Sequence, residues 1–381
     1  MVQPMQVYDK PSISRPATIR RTWLVIAVLL ILALIGAFGN AWDLYWHIMI
    51  GRDTFWIPPH TMMYTSIALS GLIAAGTVLR DTLRDQGAVG QVRLLGFHAP
   101  LGYFVLGFGV LQMVLSAPFD DWWHRMYGVD VTVWSPPHLI GFSGATVMLV
   151  GLIILILTEQ HYFGVYSGMR FWCLALVFAL VVRWVTFLNS TSLALSWFLR
   201  PDGYAIVGPW AGWWVLWASL FMAWIFVASA RCIKDRAPWH FPVAVCVLAL
   251  VLRGFEFPVS AVGFRLILPW GTQTLHHPFR PLFDYDLGLW VTTIVLALPT
   301  IVLALLSRWE QPWSTRRFGL TGGLSWGFLL ALQFLWARPV FHLVAFKVDV
   351  QLEVVLVALL TGAVGGLIGA YQGEWLWHLQ S

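Results

Sequence analysis

The sequence predicts an all-α, polytopic transmembrane bundle of about ten helices, with an internal repeat of helix–loop–helix units in its N-terminal half. Of the 381 residues, 59% are hydrophobic and only 11% are charged, whereas a soluble domain carries about 25% charged residues. Apolar stretches of about 20 residues, the length that crosses a bilayer as a helix, recur along the chain. A segment rich in Asp and His also occurs twice.

Ten stretches are long and apolar enough to be membrane spans. The stretch near 239–268 is the least regular, because it contains Arg253, Glu256 and Pro258, and the sequence leaves open whether it forms one broken helix or a helix followed by a re-entrant piece. The ten predicted spans lie near 23–43, 61–79, 98–117, 139–158, 170–188, 209–230, 239–268, 287–306, 318–336 and 353–371.

The spans divide into two regions. Residues 1–160 form the duplicated region, with repeat one at about 23–79 and repeat two at about 98–158, and residues 161–381 form a C-terminal transmembrane bundle. Basic residues concentrate before span one and after spans two, six and eight, which the positive-inside rule places in the cytoplasm. We therefore expect a multi-pass protein of a bacterial-type plasma membrane, with a cytoplasmic N-terminus and both Asp/His segments on the outer side.

The composition also bounds the partners. The 24 Trp and 25 Phe residues suit the interfaces of a lipid bilayer. The net charge of +5 is scattered between apolar stretches and forms no basic stripe, which argues against a nucleic-acid partner. We expect the lipid bilayer as the surrounding partner, with other membrane subunits or further copies of this chain as candidates for assembly.

The duplicated segment carries most of the functional information. Copy one runs from Asp43 to His60, and copy two runs from Asp120 to His138. In each copy a His follows the first Asp by four residues, a Gly follows that His by four, a second Asp follows it by six, and Trp-x-Pro-Pro-His ends the segment. Copy two has one extra residue before that ending. Such spacing indicates a shared structural unit.

This spacing favours metal binding. An Asp and a His four residues apart share one helix face, the Gly suits a helix C-terminus, and the Pro pair begins the next helix. The last His then falls in the first helical turn, where it can meet the Asp and the first His. The mixed N/O set suits copper, iron or zinc. The predicted ligands are Asp43, His47 and His60 in copy one and Asp120, His124 and His138 in copy two.

Further candidates and one alternative remain open. The alternative is that both copies are interfacial loops, whose polar side chains face water or form hydrogen bonds between the copies. Charges at membrane depth are costly, so Arg253 and Glu256 mark either a functional ion site or a structural ion pair. The predicted additional or orienting residues are Asp53, Asp121, Asp130, His276 and His277.

Copy one resembles a segment of a known family. Asp43-x3-His47, followed by Arg52-Asp53-Thr54 and by a Pro before His60, is similar to the C subunit of the copper membrane monooxygenases, the particulate methane and ammonia monooxygenases. The resemblance implies copper on the Asp and both His of each copy. It covers about 20 residues. The family subunit has one such segment, whose turn is of the Phe-Thr-Pro-Ser-His type, whereas this chain has two.

Three functional hypotheses follow. The leading one is an integral membrane metalloprotein with two Asp/His sites that acts as a copper-dependent, monooxygenase-like oxidoreductase on a small hydrophobic substrate. The second is a non-enzymatic copper-handling protein or a structural subunit of a membrane complex. The third is a cation-coupled transporter that uses Arg253 and Glu256 together with the Asp/His sites. The sequence assigns no catalytic residue.

Overall fold

The computed structural model is mostly helical. It describes residues 16–50, 55–84, 91–128, 135–163, 168–198, 205–206, 209–234, 239–268, 295–309, 314–343, 347–348 and 352–379. These residues form the helices α1 (Pro16–Met49), α2 (Pro58–Arg84), α3 (Leu101–Tyr127), α4 (Pro136–Phe163), α5 (Gly168–Phe198), α6 (Pro209–Cys232), α7 (His240–Ile267), α8 (Ala297–Trp309), α9 (Thr315–Leu343) and α10 (Leu352–His378).

Two short sheets join the helices. Strands β1 (Gln91–Leu94) and β2 (Phe97–Pro100) form an antiparallel hairpin between α2 and α3. Strands β3 (Ala205–Ile206) and β4 (Lys347–Val348) form a two-residue parallel pair. The predicted third span, 98–117, therefore began too early, because residues 98–100 belong to β2 and the helix begins at Leu101.

Eight of the described helices, α1 to α7 and α10, are long and apolar enough to cross a membrane. The predicted spans 287–306 and 318–336 correspond to α8 and α9, which are not among these eight, so the count of ten spans stays a prediction. The ambiguous stretch 239–268 is one helix, α7, with Pro258 inside it. The chain is thus a multi-pass membrane protein by the length and composition of its helices.

The helix boundaries near the Asp/His segments follow their local sequence. Pro58 and Pro136 are the first residues of α2 and α4, where the missing N–H of proline has no helical partner to lose. Gly128 ends α3 with φ of +86° and ψ of −172°, and its N–H donates to the carbonyl oxygen of His124. This conformation is almost confined to glycine. The predicted role of Gly128 as a helix end is confirmed.

Glycines bring α3 and α4 into backbone contact. A Cβ atom built on Gly109 of α3 would lie 2.4 Å from the backbone nitrogen of Met148. A Cβ atom on Gly151 of α4 would lie 2.4 Å from the backbone nitrogen of Leu106. Small residues allow this close approach between membrane helices, where dispersion contacts replace the hydrophobic effect as the driving force. The contact fixes the register between the two helices that carry copy two.

The predicted buried charges belong to an ion cluster between α1, α5 and α7. The Nε of Arg183 donates to Glu256 Oε1 over 2.6 Å, and Arg253 pairs with the other oxygen of Glu256. The Nη2 of Arg183 also donates to the carbonyl oxygen of Ala37 at 2.8 Å and to Asn40 Oδ1 at 3.2 Å. Both carboxylate oxygens of Glu256 are engaged. This geometry favours the structural ion pair over a functional ion site, and a second arginine joins the pair.

Candidate metal centre

Copy two gathers its three predicted ligands at the junction of α3 and α4. Asp120 and His124 lie on the last turns of α3, and His138 lies in the first turn of α4. The Asp120 Oδ1 atom is 3.1 Å from His138 Nε2 and 3.4 Å from His124 Nε2. In the part of the chain that the structure describes, this is the group whose three ligand atoms all lie within 4.8 Å of one another.

These separations match those of atoms that share a metal ion. Zn–N and Zn–O bonds are about 2.0–2.2 Å long, so two donor atoms at tetrahedral or right angles lie about 2.8–3.6 Å apart. The Asp120 Oδ1 atom is buried, and His138 Nε2 lies at hydrogen-bond distance from it, so either a proton on that ring or a bound cation would pair with the carboxylate. A buried carboxylate oxygen of this kind is normally stabilised by a cation.

The hydrogen bond made by the Nδ1 atom of His124 leaves its Nε2 atom available as a metal ligand. The Nδ1 atom of His124 lies 3.1 Å from the carbonyl oxygen of Gly128. A carbonyl oxygen only accepts hydrogen bonds, so Nδ1 carries the proton and Nε2 of the neutral ring carries a lone pair. That lone pair and the Asp120 carboxylate repel each other unless a cation lies between them. The cation is either a metal ion or a proton that turns the ring into an imidazolium.

Copy one brings Asp43 and His60 together in the same way. The Asp43 Oδ1 atom is buried and lies 3.0 Å from His60 Nε2, which is a hydrogen-bond distance. The Nδ1 atom of His60 donates to the carbonyl oxygen of Phe55 at 3.2 Å. Donation of the second imidazole N–H to a carbonyl is the usual arrangement around metal-bound histidines, because it fixes the tautomer and the ring orientation.

His47 is the ligand that differs between the copies. Its Nδ1 atom donates to the backbone carbonyl oxygen of Asp43 at 2.8 Å, inside its own helix, and lies 3.6 Å from Asp43 Oδ1. Its side chain is 36% exposed, against 11% for the corresponding His124. The structure thus assembles the complete triad in copy two, whereas in copy one it assembles only the pair of Asp43 and His60.

Buried aromatic side chains pack the α1 part of copy one against α7. Trp42 and Trp46 flank Asp43 on α1 and contact Phe264 of α7, with Trp46 stacked on Phe264 at 5.9 Å between ring centroids. In copy two the neighbouring Trp122 and the following Leu139 are exposed. Copy one is therefore held inside the bundle, and copy two lies at its edge.

The charges of the two copies act on each other. His138 interacts electrostatically with Asp43, and Asp120 interacts electrostatically with His60. The two Asp/His groups therefore occupy the same end of the bundle, within range of each other.

Of the five additional candidate residues, the structure describes only Asp121. Asp121 pairs with Arg125 over 2.6 Å on the exposed side of α3, so it does not join the cluster of copy two. The remaining four candidates lie outside the described residues: Asp53, Asp130, His276 and His277. Main-chain carbonyl oxygens accept hydrogen bonds from the Nδ1 atoms of His47, His60 and His124, and the orienting role suggested for Asp53 and Asp130 stays a prediction. No sequence signal could have identified those carbonyls, because every residue has one.

Comparisons with protein-family models, with curated proteins and with solved structures find no match to this chain. The resemblance of copy one to the C subunit of the copper membrane monooxygenases stays a prediction from its motif.

Proposed function

We propose that this chain is a membrane metalloprotein whose principal metal site is Asp120, His124 and His138. The observation that carries the proposal is the convergence of Asp120 Oδ1 with two imidazole Nε2 atoms, one of which is fixed in its ligand tautomer by the Gly128 carbonyl. Three protein ligands leave a coordination position open, as in catalytic rather than structural metal sites. The incomplete triad of Asp43, His47 and His60 is the weaker, second site.

Copper is the metal that we propose, with iron and zinc as alternatives. A set of two imidazoles and one carboxylate suits all three ions. The resemblance to the copper membrane monooxygenases favours copper among them. A copper ion with an open position supplies redox chemistry with dioxygen, so the proposed activity is a monooxygenase-like oxidoreductase. The electrons come from an external reductant.

The surroundings of copy two favour a hydrophobic substrate. Leu139 and Ile140 follow His138 on α4 and are exposed, as are Trp122 and Met126 beside Asp120 and His124 on α3. In a membrane these apolar side chains face lipid or a partner subunit. A small apolar molecule dissolved in the bilayer would therefore reach the site without crossing water.

The same exposed surface supports the second candidate function, a copper-handling or structural subunit. If another subunit covers Leu139 and Ile140, the site belongs to a larger assembly. The transporter hypothesis has less support, because Arg253 and Glu256, on which it relied, are paired with each other and with Arg183 inside the bundle.

Metal content after purification tests the site. We expect Asp120→Asn to lose most of the bound metal, because the amide removes the only charged ligand of copy two while keeping its shape. The matched control is Asp121→Asn, which alters the neighbouring half-buried carboxylate that pairs with Arg125 and should keep the metal content. Asp43→Asn, in the weaker second site, should lose less metal than Asp120→Asn. Retention of the full metal content by Asp120→Asn would refute the assignment.

Dioxygen consumption separates the enzyme from the alternatives. The copper-loaded protein in lipid nanodiscs should consume dioxygen when a reductant and a small alkane or alkene are supplied, and Asp120→Asn should not. A protein that holds copper at copy two but consumes no dioxygen would contradict the oxidoreductase and support the copper-handling alternative.

A further inference from the structure

The β1–β2 hairpin joins α2 to α3 at the end of these helices opposite to the Asp/His groups. Its register pairs Val92 with Ala99, Arg93 with His98, and Leu94 with Phe97. Directly paired residues lie on the same face of a hairpin, and successive residues alternate between faces. One face therefore carries Val92, Leu94, Phe97 and Ala99, and the opposite face carries Gln91, Arg93 and His98.

The base of the hairpin is fastened to α2. The Thr82 hydroxyl accepts a hydrogen bond from the N–H of His98 at 2.8 Å and lies 3.3 Å from the carbonyl oxygen of the same residue. Ala99 is fully buried. The described residues leave the tip more open, since Leu94 is 49%, Leu95 91% and Phe97 45% exposed. The apolar face of the hairpin therefore runs from the buried Ala99 at its base to an exposed tip.

The turn itself is unusual in its sequence. Leu95 and Gly96 have φ of +52° and +88°. Positive φ at both central residues defines a type I′ turn, which strongly prefers Asn or Asp before the Gly. A leucine in this conformation is strained, and here it is also nearly fully exposed. Strain of this kind persists only where the surroundings compensate for it, so a contact of Leu95 with something outside the described chain would offset its cost.

The position of the hairpin places its tip close to the surface of the lipid bilayer. Strand β2 ends at Pro100, and the membrane helix α3 begins at the next residue. Four residues of strand span only about 13 Å, so the tip cannot leave the neighbourhood of the bilayer surface. Arg84 at the end of α2 and Arg93 on the polar face are both exposed. Cations at this depth attract the phosphates of lipid headgroups.

We propose that the tip formed by Leu94, Leu95 and Phe97 inserts into the lipid leaflet opposite to the Asp/His groups, with Arg93 at the level of the headgroups. The partner is the bilayer itself. The inserted tip fixes the depth of α2 and α3 together. These helices carry His60 and Asp120, so the hairpin couples the depth of the two candidate metal sites.

Fluorescence quenching in nanodiscs tests this proposal without involving the metal. A nitrobenzoxadiazole label is attached through Leu95→Cys, in a full-length background in which the three native cysteines are replaced by alanine. Nanodiscs leave both membrane faces open to water. We expect nitroxide lipids, labelled in the acyl chain, to quench this probe several-fold more strongly than aqueous iodide does.

The matched control is Arg93→Cys, two residues away on the polar face, where iodide should be the stronger quencher. Phe97→Cys provides a second probe of the apolar tip if Leu95→Cys does not fold, and it should behave as expected for Leu95→Cys. Strong iodide quenching at the tip would overturn the proposal. Protection from both quenchers would also overturn it, because the tip would then be covered by protein, either a second copy or another subunit.

Discussion

A hydrogen bond to a main-chain carbonyl oxygen sets the tautomer of three of the described histidines. His47, His60 and His124 all donate Nδ1–H to a main-chain carbonyl oxygen. This leaves Nε2 as the available ligand atom in every case. Only His124 combines that tautomer with an Nε2 atom close to its own aspartate and to a second imidazole. The difference between the two copies therefore lies in ring orientation rather than in residue type.

Gly128→Ala tests the support of this ring. The φ and ψ of Gly128 are almost confined to glycine, so alanine should lower the free energy of unfolding by ~1–3 kcal/mol. The carbonyl that orients His124 should also shift, and loss of such a support typically weakens metal binding by about 10–100-fold. Metal titration and thermal unfolding measure the two effects.

A matched control separates strain from volume. Gly76→Ala on α2 has open space around the new Cβ atom and no positive φ, so it should keep metal affinity and raise stability by about 0.5–1 kcal/mol. Equal metal affinity in Gly128→Ala and the native protein would show that the Gly128 carbonyl does not position His124.

The sequence predicted which residues meet in copy two but not which nitrogen they use. The spacing of four residues and the Pro-Pro-His start of α4 were sufficient to bring Asp120, His124 and His138 together. The same spacing in copy one brought Asp43 to His60 and left His47 turned to its own helix. Tautomer and rotamer depend on carbonyl oxygens placed by the fold, which no residue pattern records.

At the scale of helices and strands, close packing determines where the ligands sit. The α3–α4 pair is in backbone contact through glycines, which keeps the end of α3 against the start of α4. The α1–α2 pair also approaches through glycines but mainly against side chains: a Cβ atom on Gly36 would lie 2.9 Å from Ser66 Oγ, whose hydroxyl donates to the Leu32 carbonyl oxygen at 2.6 Å. The more closely packed pair is also the one that assembles its triad.

Gly109→Ala tests this link between packing and the site. The added Cβ atom would lie 2.4 Å from the Met148 backbone nitrogen, and overpacking of this kind destabilises by about 1–3 kcal/mol. We expect a lower unfolding temperature and weaker metal binding. Gly107→Ala on the same helix meets nothing within 4 Å and should show neither effect. If both variants behave alike, the α3–α4 contact does not control the site.

The lengths of the apolar stretches predicted that helices are present better than they predicted where each helix begins and ends. The stretch 239–268 could not be interpreted from its charges, because a continuous helix needs Arg253 and Glu256 to find partners on other helices. The β1–β2 hairpin was missed because its turn has Leu95 where hairpin turns normally have Asn. Both features depend on contacts or strain that are not local in the sequence.

At the scale of the whole molecule, one ion cluster connects the duplicated region with the C-terminal bundle. Arg183 of α5 and Glu256 of α7 pair with each other, and Arg183 also donates to Ala37 and Asn40 of α1. Asn40 is three residues from Asp43, about one helical turn along α1. The two regions that the sequence suggested as separate are therefore tied together next to copy one.

Glu256→Gln should destabilise the whole protein rather than a single site. It removes the acid with which Arg183 and Arg253 both pair among the described residues, and the loss of one partner of a buried ion pair typically lowers stability by about 3–5 kcal/mol. The combined replacement of Arg183, Arg253 and Glu256 by Met, Met and Leu should recover much of this loss, because apolar side chains require no counter-charge. Thermal unfolding in detergent compares both variants with Glu353→Gln, an exposed carboxylate at the start of α10. A Glu256→Gln protein as stable as Glu353→Gln would show that the cluster does not hold α1, α5 and α7 together.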